Sequence, residues 1–326
     1  MKNIEKNKRK FKLFDFNRDG KGVYEQESRK PNLKFFFVLL FRKFTQLLQL
    51  NLIMLAQVVP IVAVVLIVLL GAKTYNSTEA LYAPLYGISN IVQSNSLLVN
   101  LDLVGKQLEV PLITPLMFLG IGVLALFLFA TFGWQNVGAA YVLRGLFRGD
   151  PIFVFSDFFY GIKKNWKQGL ILGIIDFICC AILITDIYVL YTSGSSILLG
   201  IIVAVSIIYV FMRFYLYQLL ITFDLKIIKI IKNALIFSIL GIFRNIIGAV
   251  GIILVLLINV FLIWWLLPMG ISIPIVLPFF YIMSLIGFIS VYVAYPVIDK
   301  YMIKPYEAEN GNDKEIASED VAVTEE

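Results

Sequence analysis

Few side chains in this sequence could perform chemistry. The 326 residues contain no His, two Cys and 22 Asp or Glu. Without His the chain lacks the most frequent general base, a common zinc ligand and the His ligand of many haem proteins. Intramembrane two-aspartate schemes need a second deep carboxylate, and the apolar segments do not place one at a suitable depth. We therefore expect a protein that is not an enzyme and that has no metal site and no cofactor.

Asp176 and Arg213 are the two charges that the sequence places deep in apolar segments. Their segments are joined by the short turn 192–196, so they should form an antiparallel hairpin. Counted from the centre of that turn, the two side chains differ in depth by about 3 Å at the helical rise per residue. We expect them to pair, directly or through Tyr215 or Tyr217. A buried ion pair that fixes helix register is favoured over a proton or solute relay, which needs ionisable groups on several segments.

Six apolar runs position these charges. The composition is 60% apolar or aromatic and only 15% charged, whereas a soluble protein of this length needs more polar surface. A spanning helix needs about 20 apolar residues. The expected spans are residues 52–72, 112–132, 169–191, 197–220, 246–267 and 273–297. The sequence thus predicts an all-α, polytopic transmembrane helical bundle over 35–300, between a basic tail (1–34) and an acidic disordered tail (301–326).

The basic residues lie almost entirely on one side of this predicted bundle. Of the 28 Lys and Arg, only Lys73 and Lys106 lie in connections on the other side. Because basic residues flank membrane spans on the cytoplasmic side, we expect both termini in the cytoplasm. The basic tail should be attracted to anionic lipid head groups of the bilayer rather than to nucleic acid.

Three amphipathic segments, 35–49, 153–167 and 224–235, precede the first, third and fifth spans. Such helices lie in the head-group plane, with lysines toward phosphates and apolar faces toward acyl chains. In the second segment Ser156 is the expected N-cap. The long outer connection 73–111 is predicted to be a solvated loop.

Several short motifs lie on the predicted cytoplasmic side. They are Tyr141-Val-Leu-Arg144, Arg148-Gly149-Asp150-Pro151, Ser156-Asp157-Phe158, Lys164-Asn165-Trp166-Lys167, Thr222-Phe223-Asp224-Leu225 and Lys232-Asn233-Ala234. In this order they resemble the YesL family of bacterial multi-pass membrane proteins, and the resemblance extends from the basic tail to about residue 250. The family has no established biochemical activity, and its members tend to be encoded beside carbohydrate uptake systems. The resemblance therefore implies a bacterial cell-membrane protein with an accessory or regulatory role in carbohydrate uptake, and a sugar permease or sensor protein as its partner.

The candidate site residues form two groups, the intramembrane ion pair and a cytoplasmic interfacial set. The interfacial set consists of Arg144, Arg148, Asp157, Lys164, Asn165, Trp166, Lys167, Asp224, Lys232 and Asn233. Anchoring by Trp and basic residues explains this set as well as a partner-binding surface does. Two functions stay open. The scarcity of polar residues in the spans favours an accessory protein. Discontinuous spans near Pro60, Pro268 and Pro278 favour a small-solute transporter that uses the bundle interior, because broken helices often line transport sites.

Overall fold

The computed structural model describes residues 32–75 and 109–306, which form a helical bundle with one short β-ribbon. In chain order the elements are α1 (Leu33–Arg42), α2 (Phe44–Met54), a 3₁₀ turn (Leu55–Gln57), α3 (Val58–Leu70), β1 (Lys73–Tyr75), β2 (Glu109–Pro111), α4 (Pro115–Arg148), α5 (Val154–Lys164), α6 (Trp166–Thr192), α7 (Ser196–Thr222), α8 (Ile227–Leu240), α9 (Ile242–Leu266), a second 3₁₀ turn (Leu267–Met269), α10 (Ile273–Val276), α11 (Pro278–Ile298) and a π-helical turn (Asp299–Ile303). The basic tail through residue 31, most of the outer connection and residues 307–326 of the acidic tail lie outside the described residues.

Within the described ranges, six helical segments are long and apolar enough to cross a membrane. They are Phe44–Leu70, Pro115–Arg148, Trp166–Thr192, Ser196–Thr222, Ile242–Met269 and Pro278–Tyr306. The predicted all-α bundle with six such helices is confirmed. Helix α4 continues beyond the expected end at residue 132, because its second half contains small and polar residues that are buried against other helices. The last helical segment likewise continues to Tyr306, past the start of the tail that was predicted to be disordered.

The ends of the outer connection pair as an antiparallel ribbon, which the prediction of a plain loop did not include. Lys73 of β1 lies opposite Pro111 of β2. Helix α4 begins soon afterwards, with the hydroxyl of Thr114 accepting a hydrogen bond from the Met117 amide at 3.3 Å and Pro115 in the first helical turn. The ribbon holds the two ends of the connection together, and the N-cap and Pro115 begin α4 directly after it.

Helices α4 and α6 cross at three glycines with their backbones in direct contact. Gly169 and Gly173, four residues apart on α6, face Gly133 of α4. A Cβ atom on Gly133 or Gly173 would overlap the backbone of the other helix. Small residues at this spacing allow helices to pack closely in a bilayer, where van der Waals contact replaces the hydrophobic effect as the driving force. This crossing fixes α6, and with it Asp176, against α4.

The buried side chains form two clusters that share the second half of α11. One cluster joins α7 to α8 and α11, and fully buried Tyr215 and Ile230 lie in it. The other joins α1, α2, α4 and α5 to α11, with Leu50 and Phe288 at its centre. Many large apolar side chains elsewhere on the spanning helices are exposed, as expected for surfaces that face lipid.

The amphipathic helix α5 packs on protein more than the prediction allowed. Val154 and Phe158 are buried, and the Phe158 ring lies in the hollow left by Gly138 of α4. The apolar face of α5 is therefore divided: this part contacts α4, and Phe155 and Phe159 remain exposed. The expectation that its whole apolar face contacts acyl chains was wrong, because a glycine on α4 provides a site for an aromatic ring.

Candidate functional site

Asp176 and Arg213 are brought together by the α6–α7 hairpin. Nε of Arg213 lies 3.0 Å from Oδ1 and 3.2 Å from Oδ2 of Asp176. The carboxylate is completely buried, whereas about a third of the Arg213 side chain, 34%, is accessible. The guanidinium also lies over the ring of Phe132, 5.7 Å from its centroid. The charge of a fully buried carboxylate is thus balanced by a guanidinium side chain that is still partly accessible.

Two tyrosines complete the coordination of this carboxylate. The hydroxyl of Tyr209 donates to Oδ1 at 2.6 Å, and that of Tyr217 donates to Oδ2 at 2.7 Å. Both tyrosines lie four residues from Arg213 on the same face of α7, one on each side. Cys180, one turn along α6, places its Sγ 3.7 Å from Oδ1. Tyr217 was one of the two expected partners, whereas Tyr215 instead donates to Asn245 at 2.7 Å.

A central cavity of about 280 Å³ lies among α4, α7, α9 and α11, with Met54 of α2 at its edge. Its wall is mostly apolar. The polar side chains in the wall are Asn136, Arg213, Tyr217, Gln218 and Ser290. The Asp176 network therefore borders this cavity through Arg213 and Tyr217.

Gln218 has an unsatisfied group in the wall of the central cavity. The residue is 3% exposed, and its Nε2 donates to the carbonyl of Ala140 at 3.4 Å. Its Oε1 is buried and has no hydrogen-bond partner among the residues that the structure describes. Arg213 has donors to spare, because its Nε is the one nitrogen that donates a hydrogen bond to a residue that the structure describes. Gln218 and Arg213 both line the cavity, so its wall combines a residue with a buried acceptor and a residue with free donors, as counted among the described residues.

Within the interfacial set, Arg144 connects two helices by hydrogen bonds. Its Nη1 donates to the carbonyl of Ile221 at 2.9 Å and to the hydroxyl of Thr222 at 3.1 Å, which links the end of α4 to the end of α7. Its guanidinium also lies over Tyr141, 5.3 Å from the ring centroid. Arg148, one turn later, is exposed and lies 3.7 Å from Asp150. The two arginines therefore have different surroundings although they lie one turn apart on α4.

The junction between α5 and α6 is formed by Asn165 and Trp166. Nδ2 of Asn165 donates back to Gly161 at 3.2 Å, which ends α5. The carbonyl of Trp166 accepts a hydrogen bond from the Trp134 indole at 2.9 Å, and the Trp166 ring is half exposed beneath the Lys167 ammonium. Lys164 is exposed in the last turn of α5.

At the start of α5 the N-cap residue is Phe153, and the side chain of Asp157 in the following turn reaches back to it. Oδ2 of Asp157 accepts a hydrogen bond from the Phe153 amide at 2.8 Å. The helix begins at Val154, so Ser156 lies inside the first turn and the N-cap prediction was wrong. A carboxylate in the first turn also interacts favourably with the helix dipole.

The remaining members of the interfacial set lie around α8. Asp224 is exposed between α7 and α8, and Lys232 is exposed on α8. Asn233 is partly buried within α8, which continues to Leu240, so it does not end a helix as Asn165 does. The set therefore does not converge on one site: its members lie where α4 and α7 end and α6 begins, and on α5 and α8, a region that we call the basic end of the bundle.

The basic end also includes Lys43, at the junction of α1 and α2. Burial lowers the pKa of Lys43, and the neighbouring Arg42 lowers it further. Asp150 opposes this effect. Within 32–75 and 109–306, no group of three or more Cys, Asp or Glu side chains is placed to hold a metal ion.

The sequence reasoning missed Tyr209 and Gln218. Tyr209 could have been found from helical spacing, because it lies one turn from Arg213 on the face that carries Tyr217. For Gln218 the sequence offers no comparable signal, since the central cavity depends on how four separate helices pack.

Residues 112–187 match a family described as protein of unknown function, DUF624. The matched segment begins just before α4, includes α5 and ends within α6, so it contains Asp176 but not Arg213. No curated protein and no solved structure matches the chain. This segment is therefore similar to the DUF624 family of proteins of unknown function, which is consistent with the resemblance of the chain to the YesL family.

Proposed function

We propose that this protein is a non-enzymatic membrane protein that binds a small hydroxylated solute in the central cavity and serves carbohydrate uptake as an accessory or regulatory component. The observation that carries the proposal is the unpaired oxygen of Gln218 in the same wall as the open guanidinium of Arg213.

A buried polar atom without a partner costs about 1–3 kcal/mol, so a ligand that satisfies it gains affinity. A hydroxyl group both donates and accepts, and a solute with several hydroxyls can therefore pair with the Gln218 oxygen and the Arg213 nitrogens at once. Asp176 already balances the charge of Arg213, so the solute need not be an anion. At about 280 Å³ the cavity suits a solute no larger than a monosaccharide.

The wider role rests on two further supports. The resemblance to the YesL family points to carbohydrate uptake in a bacterial cell membrane. The strong bias of Lys and Arg favours cytoplasmic termini. We expect a fluorescent protein fused after residue 326 to fluoresce in the cytoplasm and alkaline phosphatase inserted within 76–108 to be active. The opposite pattern would contradict the orientation.

The binding proposal is tested on the purified full chain by calorimetry with a panel of neutral hexoses and hexuronates. We expect saturable binding of at least one sugar and a loss of about tenfold in affinity for Gln218→Leu, the cost of a hydrogen bond of ordinary strength. Gln57→Leu is the matched control, because the buried amide nitrogen of Gln57 also has no partner among the described residues but Gln57 does not line the cavity. An absence of binding, or an equal loss in both variants, would contradict the proposal.

A second candidate is a transporter for the same class of solute. It is favoured by the 3₁₀ turn at Leu55–Gln57, which interrupts the first spanning segment directly after Met54 of the cavity wall. Interrupted helices often line transport sites. Uptake of the bound sugar into proteoliposomes would establish this candidate and overturn the accessory role, whereas binding without flux is the result expected for an accessory protein.

An accessory role also requires a partner. We propose a sugar permease or sensor protein that docks at the basic end, where Arg148, Lys164 and Asp224 are exposed. Affinity capture from native membranes should recover such a protein with the wild-type chain and less of it when these three residues are replaced by Ala. Recovery that is unchanged in the triple variant would place the partner elsewhere.

A further inference from the structure

An elongated apolar groove of about 550 Å³ lies between α1, α9 and α11, away from the central cavity. Along α9 it extends from Arg244 to Ile258, which is about 21 Å at the helical rise per residue. The hydrocarbon core of a bilayer is about 30 Å thick, so each leaflet contributes about 15 Å and the groove is longer than that. Its shape and lining suit an extended acyl chain.

Helix α1 forms one wall of this groove and is fastened to α11. The hydroxyl of Tyr292 donates to the carbonyl of Asn32 at 2.7 Å, and the ring of Phe36 meets that of Tyr292 edge-on, with centroids 5.1 Å apart. On the opposite wall, Gly248 packs closely against Val293 of α11, whereas Gly251 has room for an added side chain. The groove is thus bounded by contacts between helices rather than by loose surface residues.

A second cavity, of about 270 Å³, adjoins the groove at Arg244 and is also lined by Lys300. Arg244 uses Nε and Nη2 to donate to the carbonyls of Val293 and Tyr292, each at 3.3 Å. Its remaining nitrogen donates no hydrogen bond to any described residue. Lys300 is exposed, lies over the Tyr301 ring, and is separate from the pair that Asp299 makes with Lys304 at 3.2 Å. In the part of the chain that the structure describes, no acidic side chain lines either cavity.

We propose that an anionic glycerophospholipid occupies these two cavities, with its phosphate between Arg244 and Lys300 and one acyl chain in the groove. The charge of the smaller cavity and the apolar lining of the groove are complementary to the two parts of one such molecule. Arg244, which borders both cavities, lies where the head group joins the acyl chains. The site is independent of the solute proposed for the central cavity.

The test is native mass spectrometry of the full chain after delipidation and incubation with equimolar phosphatidylglycerol and phosphatidylcholine of identical acyl chains. A basic residue near a membrane surface contributes about fivefold in affinity for an anionic lipid. We expect one retained phosphatidylglycerol per chain, preferred by about 25-fold. Lys300→Gln should lower the preference about fivefold, as should Arg244→Gln, whereas Arg148→Gln at the same end should not change it.

Two further variants keep the test decisive. Arg244→Gln loses two carbonyl contacts and can unfold, but Lys300 is exposed and its replacement leaves the fold intact. Gly251→Leu fills the groove, since the nearest atom to an added Cβ is 3.8 Å away, and should reduce retention of both lipids. Gly200→Leu is its control, with open space around the added Cβ.

Equal retention of the two lipids would overturn the proposal, as would a Lys300→Gln variant that behaves like Arg148→Gln. Undiminished retention in Gly251→Leu would place the lipid outside the groove. A different outcome is a wild-type chain that is detected as a dimer without lipid and a Gly251→Leu variant that is detected as a monomer. That outcome would assign the groove to a second copy of the chain instead.

Discussion

Replacement of Asp176 by Leu should destabilise the α6–α7 hairpin, and a second replacement of Arg213 should restore part of the loss. The buried carboxylate accepts hydrogen bonds from Arg213, Tyr209 and Tyr217. Asp176→Leu removes the shared acceptor and leaves a cation without its counter-ion. Breaking a buried pair in this way costs about 3–5 kcal/mol.

The double variant Asp176→Leu, Arg213→Leu removes that uncompensated charge. What remains is the loss of two tyrosine hydrogen bonds, and interhelical hydrogen bonds in bilayers contribute about 0.6–1.7 kcal/mol each. The double variant should therefore be destabilised by about 1–3 kcal/mol, which is less than Asp176→Leu alone. The rescue is measured as a free energy of unfolding in mixed detergent micelles, followed by loss of helical circular dichroism.

Asp186 provides the matched control, since it lies on the same helix about 15 Å further along. Asp186→Leu combined with Arg213→Leu should be additive within about 0.5 kcal/mol, as expected for distant sites. If the Asp176 and Arg213 substitutions were also additive within that margin, the two side chains would not stabilise each other and the reasoning from the buried network would be refuted.

Two further predictions concern stability in the same unfolding assay. Gly173→Ala should lower the free energy of unfolding by about 1–3 kcal/mol, because its added Cβ overlaps the backbone of α4. Gly200→Ala, where the added Cβ meets open space, should be neutral or stabilising by up to about 1 kcal/mol. Equal effects of the two substitutions would show that the α4–α6 contact is not close. Arg144→Lys should lower the free energy of unfolding by about 1–2 kcal/mol, because in the wild type one Arg144 nitrogen contacts both Ile221 and Thr222. Arg148→Lys should change it by less than about 0.5 kcal/mol. A loss of stability in Arg148→Lys alone would reverse the roles assigned to the two arginines.

The spanning helices could be predicted because a bilayer imposes a length and an apolar composition on each of them. The same rule explains where the prediction stopped short. Beyond residue 132, helix α4 contains Gln135 and several glycines, which lower its hydropathy, yet these residues are buried against other helices. Gln135 donates to the carbonyl of Met54 at 2.5 Å, a contact that depends on tertiary packing. Local composition cannot distinguish such a segment from a polar connection.

The network around Asp176 was predictable in part, and helical geometry explains which part. Depth along a hairpin follows from residue counting, so the meeting of Asp176 and Arg213 could be expected. The direction of each tyrosine depends on its angle around α7: positions four residues from Arg213 share its face, and a position two residues away does not. Tyr209 and Tyr217 therefore reach the carboxylate, whereas Tyr215 points to Asn245 on α9.

Arg213 links the network to the central cavity, and this double position should make Lys a poor replacement. The guanidinium presents Nε to Asp176, its other nitrogens donate to no described residue, and Arg213 lines the same cavity as Gln218. A lysine ammonium is a single point charge, so it can stay with Asp176 or reach a solute, but it cannot do both well. Arg213→Lys should therefore lower the free energy of unfolding by only about 1 kcal/mol, the size of one interhelical hydrogen bond, and yet reduce sugar affinity as much as Gln218→Leu does. If affinity were unchanged while stability fell, Arg213 would act only as the counter-ion of Asp176, and the solute would be held by other residues of the wall.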